Sequence, residues 1–496
     1  MNQKFILALD LGTTGNRAII FNHKQQIVAK AYQEFKQYYP QEGWVEHDPI
    51  EIWETTLQVI KKAISEAKIS PKDILAAGIT NQRETTVIWD KHSGKPVYNA
   101  IVWQCRRTAS YCESLAKNKK TALQIHQKTG LRLDAYFSAT KIRWIFKHVK
   151  NSLSKAKAGK LLFGTIDTWI LWNLTKGKVH ATDYSNASRT LLFNIKTLKW
   201  DTQLMNLFKV PQNILPEVKE SSGIFGYIDQ SILNASIPIA GIAGDQQCAM
   251  FSQGCYQPGI IKNTYGTGCF LLMNVGPKPV YSKNKLLTTI AWGINHKVEY
   301  ALEGSVFMGG ASVQWLRDGL KIIKSARDTE KISVKNNGGV YFVPALVGLG
   351  APYWDMKARG TIIGLTRGTN QEHLIRATLE AIAYQSKDMI KAIELDTGTK
   401  LQTLKVDGGA CANNLLMQFQ ADILNTKVQR PEIIETTALG AAMLAGLALG
   451  FWKNKAELIQ KKGINKIFVP QMKKEEQKQL YHNWKKAVER SKNWLE

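Results

Sequence analysis

The sequence predicts an α/β protein built from two related domains that face each other across a cleft. Its 496 residues exceed the ~250–300 residues that one hydrophobic core serves, which favours two domains. Predicted strands and helices alternate along the chain, as they do in α/β architectures. A strand, a glycine-rich turn and a second strand occur near the start and recur near the middle, which indicates two similar halves.

The first half begins with a predicted β-hairpin. Lys4–Leu9 is apolar and β-prone, and Gly12–Gly15 has the residue types of a tight turn. Arg17–Phe21 and Ile27–Tyr32 are the next predicted strands. The hairpin therefore places a glycine-rich loop directly after the first strand.

A predicted helix follows at Asp48. Asp is a good N-cap, and the proline after it suits the first helical position. Trp53, Leu57, Ile60 and Ile64 recur at helical spacing, which predicts that they form the buried face.

The second half repeats the pattern of the hairpin. Ile260–Asn263 and Cys269–Asn274 are predicted strands on either side of the turn Thr264–Gly268. Another glycine-rich turn, Asp407–Ala410, follows the predicted strand Leu404–Val406 and precedes an apolar helix. These repeats support a duplicated architecture.

Glycine and proline cluster at residues 254–259, which predicts the domain boundary. We expect an N-terminal domain of residues 1–253 and a C-terminal domain of residues 254–496.

The composition is that of a globular protein with an unusually basic charge. Apolar residues make up 44% and charged residues 21%, which excludes a mainly disordered chain. A net charge of +26 is compatible with nucleic-acid or anionic-lipid binding. Because the lysines are spread along the whole chain, a lysine-rich proteome is the favoured explanation, and we predict no nucleic-acid partner.

No segment has the pattern of a signal peptide or a membrane span. Thr436–Trp452 is rich in Ala and Gly and falls short of the ~20 apolar residues that a span needs, so we expect a buried, closely packed helix. The six cysteines form no C-x-x-C pair, and scattered thiols are typical of a reducing compartment. The predicted location is the cytoplasm, without an integral membrane segment.

The stretch Asp10–Arg17 has the chemistry of a phosphate site. Its small residues let backbone N–H groups approach an anion, and the hydroxyls of Thr13 and Thr14 can donate to phosphate oxygens. Asp10 can hold Mg²⁺, which prefers oxygen ligands, and Arg17 can stabilise phosphoryl charge. The alternative is a plain hairpin with a surface carboxylate.

Two turns of the second half are candidates for nucleotide contacts. Thr267, in the turn Thr264–Gly268, can donate to a phosphate, and the helix start after Asp407–Ala410 suits a nucleotide. An ordinary hairpin and an ordinary strand-to-helix turn are the alternatives.

Two polar segments follow predicted strands of the first half. Asp245 comes directly after the strand Pro238–Ala243 and can act as a general base, as the N-cap of the next helix, or as both. The segment Asn81–Glu84 follows the strand Ile74–Thr80. Its side chains can bind hydroxyls, although the residue types alone favour a solvated turn.

Together these residues resemble the FGGY family of carbohydrate kinases, and in particular its glycerol-phosphorylating members. The resemblance covers essentially the whole chain. The stretches that carry it are Ala8–Arg17, Gly78–Trp89, Trp103–Thr108, Gly130–Lys141, Gly241–Gln247, Asn263–Phe270 and Val406–Asn414. It implies a two-domain actin-like ATPase fold of the ribonuclease H-like class, with the catalytic cleft between the domains.

The resemblance also implies the roles of individual residues. The implied catalytic residues are Asp245, as general base, and Arg17, and the implied metal residue is Asp10. The implied polyol contacts are Arg83, Glu84, Trp103, Tyr136, Asp245, Gln246 and Phe270. The implied ATP contacts are Thr13, Thr14, Gly15, Arg17, Thr267, Gly310, Gln314, Ala410 and Asn414. The family often has hydroxyl residues at the positions of Gly15 and Asn16, so any contact of Gly15 must come from its backbone.

The implied reaction is Mg²⁺-dependent transfer of phosphate from ATP to glycerol, giving sn-glycerol 3-phosphate and ADP in glycerol catabolism. Small-molecule substrates and a homo-oligomer, dimer or tetramer, are the implied partners. A family member acting on another polyol or sugar, such as xylulose, is the main alternative. A non-catalytic nucleotide-sensing or nucleic-acid-binding protein is a second alternative, prompted by the net charge.

Overall fold

The structure is a computed structural model that describes residues 3–460 and 463–495. The strands of the first half are β1 (Phe5–Leu11), β2 (Gly15–Phe21), β3 (Ile27–Glu34), β4 (Glu46–His47), β5 (Ile74–Asn81), β6 (Val87–Asp90), β7 (Ala100–Ile101), β8 (Leu161–Gly164), β9 (Ala181–Asp183), β10 (Phe193–Asn194), β11 (Lys199–Trp200), β12 (Glu217–Lys219), β13 (Ser222–Ile228) and β14 (Ile237–Gly244). Its helices are α1 (Pro49–Ala67), α2 (Ala109–Ala116), α3 (Lys119–Thr129), α4 (Ser138–His148), α5 (Ser152–Lys157), α6 (Ile166–Leu174), α7 (Tyr184–Ala187), α8 (Thr202–Phe208), α9 (Gln230–Leu233) and α10 (Asp245–Ser252).

The second half has fewer strands and longer helices. Its strands are β15 (Ile260–Tyr265), β16 (Cys269–Gly276), β17 (Leu287–Ile294), β18 (Lys297–Val306), β19 (Tyr341–Val343), β20 (Thr361–Ile363), β21 (Thr403–Asp407), β22 (Val428–Pro431) and β23 (Ile464–Phe468). Its helices are α11 (Gly310–Asp318), α12 (Gln371–Thr397), α13 (Asn414–Leu424), α14 (Thr436–Ala448), α15 (Lys455–Gln460) and α16 (Lys474–Ser491). Short 3₁₀ helices lie at Pro71–Asp73, Gln212–Ile214, Ala326–Glu330 and Gly409–Ala412.

The two large sheets share the order of six strands, read in opposite directions, and the second has one more strand, β17. The first runs β13-β14-β5-β1-β2-β3 and the second runs β17-β18-β16-β15-β21-β22-β23. In each sheet an antiparallel hairpin, β1–β2 or β15–β16, is extended by a third antiparallel strand, β3 or β18. Parallel strands, β5 and β14 or β21 and β22, extend it on the other side. The predicted duplication and the two-domain α/β fold class are therefore confirmed.

Helix α1 begins where the sequence predicts, and Ile60 and Ile64 of the predicted face are buried, but the rest of that face differs. Asp48 caps it by accepting a hydrogen bond from the Ile50 amide at 2.8 Å. Thr55 and Thr56 are buried, whereas the predicted core residues Trp53 and Leu57 are only half-buried. The threonines point inward because the buried Asn16 amide donates to their hydroxyls, an interaction that apolar periodicity does not reveal.

Helix α14, from the second half of the chain, packs on the sheet of the first half. It contacts β1, β5, β14 and α10. A Cβ added to Gly78 or Gly241 would lie 2.2 Å or 2.4 Å from the backbone of this helix, and one added to Gly440 would lie 2.0 Å from the Cys248 carbonyl oxygen. The prediction of a buried, closely packed helix is confirmed, and the two halves share a hydrophobic core.

None of the helices in the described ranges is both long enough and apolar enough to cross a bilayer.

Candidate active site

Three neighbouring parallel strands of the first sheet end at one edge. In the β1–β5 register Asp10 lies beside Thr80, and in the β14–β5 register Gly244 lies beside Asn81. Asp245 follows directly. Ligands of α/β sheets bind at the carboxyl ends of parallel strands, so this edge is the expected place for a site.

Asp10 and Arg17 form an ion pair at the mouth of the first hairpin. Their carboxylate oxygen and guanidinium nitrogen lie 3.3 Å apart, and Glu435, just before α14, approaches Arg17 at 3.7 Å. Burial raises the pKa of Asp10 to about 6; Arg17 opposes this rise, whereas the Asp245 and Glu435 carboxylates add to it. The edge therefore holds a concentration of negative charge that Arg17 only partly offsets.

The turn of this hairpin brings two predicted phosphate contacts to the cleft. Thr14 is exposed, and the Thr13 hydroxyl accepts a hydrogen bond from the Trp103 indole at 3.0 Å. The Gly12 amide donates to the Gly15 carbonyl at 3.1 Å and closes the turn.

Gly15 and Asn16, where the sequence departs from the family pattern, serve the packing of the hairpin. A Cβ on Gly15 would lie 2.6 Å from the Gln33 carbonyl oxygen and 2.7 Å from the Tyr32 ring, so strand β3 leaves no room for a side chain. Asn16 points away from the loop, toward α1, where it donates to the Ile52 carbonyl at 2.9 Å. Any contact of Gly15 with phosphate would come from its backbone.

Arg83 and Glu84 are buried, so the alternative of a solvated turn is wrong for Asn81–Glu84. Arg83 Nε lies 3.2 Å from a carboxylate oxygen of Asp245. Its two Nη atoms donate hydrogen bonds to the two carboxylate oxygens of Glu303, at 2.5 Å and 3.0 Å. Glu84, with a left-handed φ of 61°, accepts from Arg189 Nε at 2.5 Å. Two predicted polyol contacts thus belong to one buried charge network.

The pKa values within this network reflect competition between burial and pairing. Burial would raise the pKa of Glu303, but Arg189 and Arg83 outweigh it and hold that pKa at about 2. Burial raises the pKa of Glu84, and Arg189 and Arg83 only partly reverse the effect. Glu303 is therefore an anion throughout the physiological pH range.

The three predicted aromatic side chains meet at one wall of the cleft. Trp103 packs edge-on against Tyr136 and Phe270, with ring centroids 5.5 Å and 6.2 Å away. Phe270 comes from the second hairpin and the other two from the first half of the chain, so this wall spans the two halves. Burial raises the pKa of the Tyr136 phenol, which keeps it neutral and able to donate a hydrogen bond.

Gln246 is also tied to the second hairpin. Its side-chain oxygen accepts a hydrogen bond from the buried ammonium of Lys262, which also donates to the Thr264 hydroxyl at 2.8 Å. Burial lowers the pKa of Lys262.

The remaining predicted ATP contacts lie on the second half. The backbones of Gly309 and Gly310 donate to the carbonyls of Thr267 and Gly266, each at 2.8 Å, so Thr267 and Gly310 adjoin. Gln314 is exposed one helical turn after Gly310, on the same face of α11.

Ala410 lies in the turn after β21, and Asn414 is the first residue of α13. A Cβ on Gly408, whose φ is 83°, would lie 2.6 Å from the Tyr265 carbonyl oxygen, so this turn lies directly against the second hairpin. The Asn414 side-chain oxygen accepts a hydrogen bond from Arg430 at 3.0 Å, and the Asn414 backbone amide donates one to Glu330. Among the described residues, no hydrogen bond or ion pair joins Gln314, Ala410 or Asn414 to the predicted polyol contacts.

Sequence reasoning missed Glu303, Arg189 and Lys262. Glu303 is the one charge in the stretch Tyr300–Val306 of β18, Lys262 is the one charge of β15, and both are fully buried. Such a pattern is itself a signal, because an ionised side chain on a core-facing position requires a partner.

Two family models together match most of the chain. Residues 5–252 match the N-terminal domain, and residues 261–449 the C-terminal domain, of the FGGY family of carbohydrate kinases. The chain belongs to the FGGY family of carbohydrate kinases. The resemblance seen in the sequence is confirmed, while the boundary between residues 253 and 254 and the roles of the site residues stay predictions.

Curated FGGY kinases resemble the chain over its full length. It is 61% identical over 495 residues to a glycerol kinase of Caldanaerobacter subterraneus subsp. tengcongensis, covering 99% of each chain. It is 60% identical over 493 residues to glycerol kinase 2 of Thermotoga maritima, again covering 99% of each.

Solved structures confirm the FGGY fold. The structure of Plasmodium falciparum glycerol kinase with ADP matches with a TM-score of 0.93 and 38% identity, covering 99% of this chain and 98% of that one. A xylulose kinase from Lactobacillus acidophilus matches with a TM-score of 0.87 at 23% identity, covering 98% of this chain and 97% of that one, which shows the shared fold alone.

Proposed function

We propose that this FGGY kinase transfers the γ-phosphoryl group of ATP to glycerol and forms sn-glycerol 3-phosphate and ADP. The observation that carries the proposal is the placement of the Asp245–Arg83 pair and the aromatic wall beside the glycine-rich hairpin of the first sheet. Full-length identity of about 60% to glycerol kinases supports the choice of glycerol. A small polyol bound there would be flanked by aromatic rings and buried charges.

Asp245 acts as the general base. Its Oδ1 atom is engaged by Arg83 Nε at 3.2 Å and by the Gln246 amide at 2.7 Å. Among the described residues Oδ2 has no hydrogen-bond partner, and the side chain is 31% exposed. That oxygen is free to accept the proton of the attacking hydroxyl.

Polar side chains of the site orient the polyol. Arg83 donates hydrogen bonds and Glu84 accepts them, so the pair suits hydroxyls, which do both. Gln246 and the Tyr136 phenol add two further contacts, while Trp103 faces the carbon chain. Holding the substrate in this way supplies the positioning on which phosphoryl transfer depends.

The turns of the two hairpins hold the phosphates. Thr13, Thr14 and the backbone of Gly15 face them from the first half, and Thr267 faces them from the second. Arg17 balances the charge on the transferred group. The remaining ATP contacts in this proposal are Gly310, Gln314, Ala410 and Asn414.

Asp10 is the proposed residue for Mg²⁺. No group of three or more His, Cys, Asp or Glu side chains in the described ranges can hold a metal alone. A single carboxylate fits Mg²⁺, because this ion retains waters and binds substrate phosphates. The negative charge around Asp10 favours a cation there. When bound, Mg²⁺ neutralises charge on the β- and γ-phosphates.

A substrate panel tests the proposal. We expect purified protein with MgATP to phosphorylate glycerol with a higher kcat/KM than dihydroxyacetone, erythritol or xylulose. A preference for xylulose would overturn the choice of polyol but leave the kinase assignment intact. Absence of ADP formation with every acceptor would overturn the kinase function.

We also propose a cytoplasmic homo-oligomer, a dimer or a tetramer, by analogy with the family. Light scattering on the purified protein tests the assembly, and a monomeric mass at micromolar concentration would contradict it.

A further inference from the structure

A buried carboxylate from the second half of the chain lies at the centre of the predicted polyol contacts. Glu303, on β18, is fully buried. Its two oxygens accept hydrogen bonds from Arg83 at 2.5 Å and 3.0 Å, and one of them also accepts from Arg189 at 3.1 Å. Both arginines belong to the first half.

Each arginine leads from Glu303 to a predicted polyol contact. Arg83 continues to Asp245 at 3.2 Å, and Arg189 continues to Glu84 at 2.5 Å. Glu303 is therefore the middle of a chain of ion pairs that ends at the general base on one side and at a hydroxyl-binding carboxylate on the other.

The two guanidinium groups depend on Glu303 for their placement. The Arg83 and Arg189 side chains are 2% and 0% exposed, so water does not solvate their positive charges. Arg189 Nη1 finds no acceptor among the described residues, which leaves Glu303 and Glu84 as its anchors. Without the Glu303 charge, two buried cations would repel each other and shift.

We propose that Glu303 is a positioning residue: it acts through Arg83 and Arg189 to orient Asp245 and Glu84 for phosphoryl transfer. The inference rests on the proposed function for the roles of those two carboxylates. Because Glu303 comes from the second half, the polyol site is complete only when the two halves are packed together.

The test compares Glu303→Asp and Glu303→Gln with the matched control Glu299→Gln. Asp retains the charge but withdraws the carboxylate by one methylene, so the fold should tolerate it better than Gln. Glu299 lies on the same strand and pairs with Lys455 at 2.9 Å, away from Arg83 and Arg189. We expect Glu303→Asp to lower kcat/KM for glycerol about 10–100-fold with KM for ATP within about threefold, and the control to change neither.

A double-mutant cycle separates positioning from general destabilisation. If Glu303 acts through Arg83, the effects of Glu303→Asp and Arg83→Lys on kcat/KM should be clearly less than multiplicative. Multiplicative effects, an unchanged glycerol kcat/KM in Glu303→Asp, or equal losses for glycerol and ATP would overturn the inference.

The same measurements distinguish this inference from the proposed function. The cycle is run on whichever acceptor the wild-type protein prefers in the substrate panel. If that acceptor is not glycerol, the proposed substrate is wrong, while the coupling of Glu303 to Arg83 is still measured on the true one.

Discussion

At the scale of single residues, the two oxygens of Asp245 have different surroundings. One is fixed by a guanidinium and a backbone amide, and the other has no hydrogen-bond partner in the described part of the chain. This asymmetry fixes the carboxylate plane and leaves one basic position, as a general base requires.

Replacing Asp245 by Asn should remove the base and preserve the shape of the site. We expect kcat to fall ~10²–10⁴-fold, the usual effect of losing a general base, while the affinity for ATP stays near that of the wild type. Coupled ADP assays give kcat, and fluorescence titration gives nucleotide affinity. A kcat close to the wild-type value would show that another group accepts the proton.

Trp103 has two proposed roles: its indole N–H donates a hydrogen bond to Thr13, and its ring forms part of the aromatic wall against the substrate. Two variants separate these roles. Trp103→Phe loses the bond to Thr13 but keeps an aromatic wall, so glycerol selectivity should persist. Trp103→Ala removes the wall, and the ratio of kcat/KM for erythritol to that for glycerol should rise at least ~10-fold. Unaltered selectivity in Trp103→Ala would show that the wall does not set substrate size.

At the scale of elements, α14 joins the two halves through backbone-to-backbone contact. Its Ala- and Gly-rich sequence lets it lie directly on β5, β14 and α10, and larger side chains would separate these elements. Glu435, just before the helix, also reaches Arg17 in the phosphate hairpin. The packing of α14 therefore influences both the stability of the fold and the site.

Adding one methyl group at Gly440 should strain this packing. The new Cβ would lie 2.0 Å from the Cys248 carbonyl oxygen, which no side-chain rotation can relieve. We expect Gly440→Ala to cost ~1–3 kcal/mol or more of stability, measured as a lower urea midpoint. Gly223→Ala in β13, where a Cβ meets nothing within 4 Å, is the control and should match the wild type. Equal midpoints for both variants would contradict the close approach.

At the scale of the whole molecule, the half-buried His180 makes stability depend on pH. Burial lowers the pKa of His180 to about 4, although its hydrogen bond to the Phe163 carbonyl partly opposes the shift. The unfolded chain binds a proton near the ordinary histidine pKa of ~6.5. Between these two values the unfolded state holds more protons, so stability falls as the pH drops below about 6.5 and levels off near pH 4.

The variant His180→Gln should lose this dependence, because Gln can donate to Phe163 but does not titrate. Between pH 7 and pH 5 the wild-type protein should lose about 2 kcal/mol more unfolding free energy than the variant. Buried carboxylates with a raised pKa, such as Asp10, change the unfolding free energy in the opposite direction as the pH falls. Because the wild-type protein and the variant share these carboxylates, their contribution cancels in the difference between the two proteins. Urea unfolding at both pH values measures that difference. If the wild-type protein and the variant lost the same unfolding free energy, the lowered pKa of His180 would be refuted.

Much of the fold could be predicted because local patterns and glycine-rich turns carry it. Strands β1, β5 and β15, the start of α1 at Asp48 and the closely packed helix α14 lie where the sequence predicts them, within a few residues. The buried face of α1 was predicted only in part: Ile60 and Ile64 are buried, but Asn16 draws Thr55 and Thr56 inward in place of Trp53 and Leu57. Apolar periodicity cannot register a hydrogen bond between residues from distant parts of the chain.

The sequence by itself determined the duplicated α/β architecture, the glycine-rich turns and the family, because these depend on residue types at short spacings. Only the tertiary structure decided that Arg83 and Glu84 are buried instead of solvated, and that Glu303, Arg189 and Lys262 accompany them. The physical reason is that a buried charge needs an opposite charge, and the partner of Arg83, Glu303, lies on the other sheet and 220 residues away in the chain.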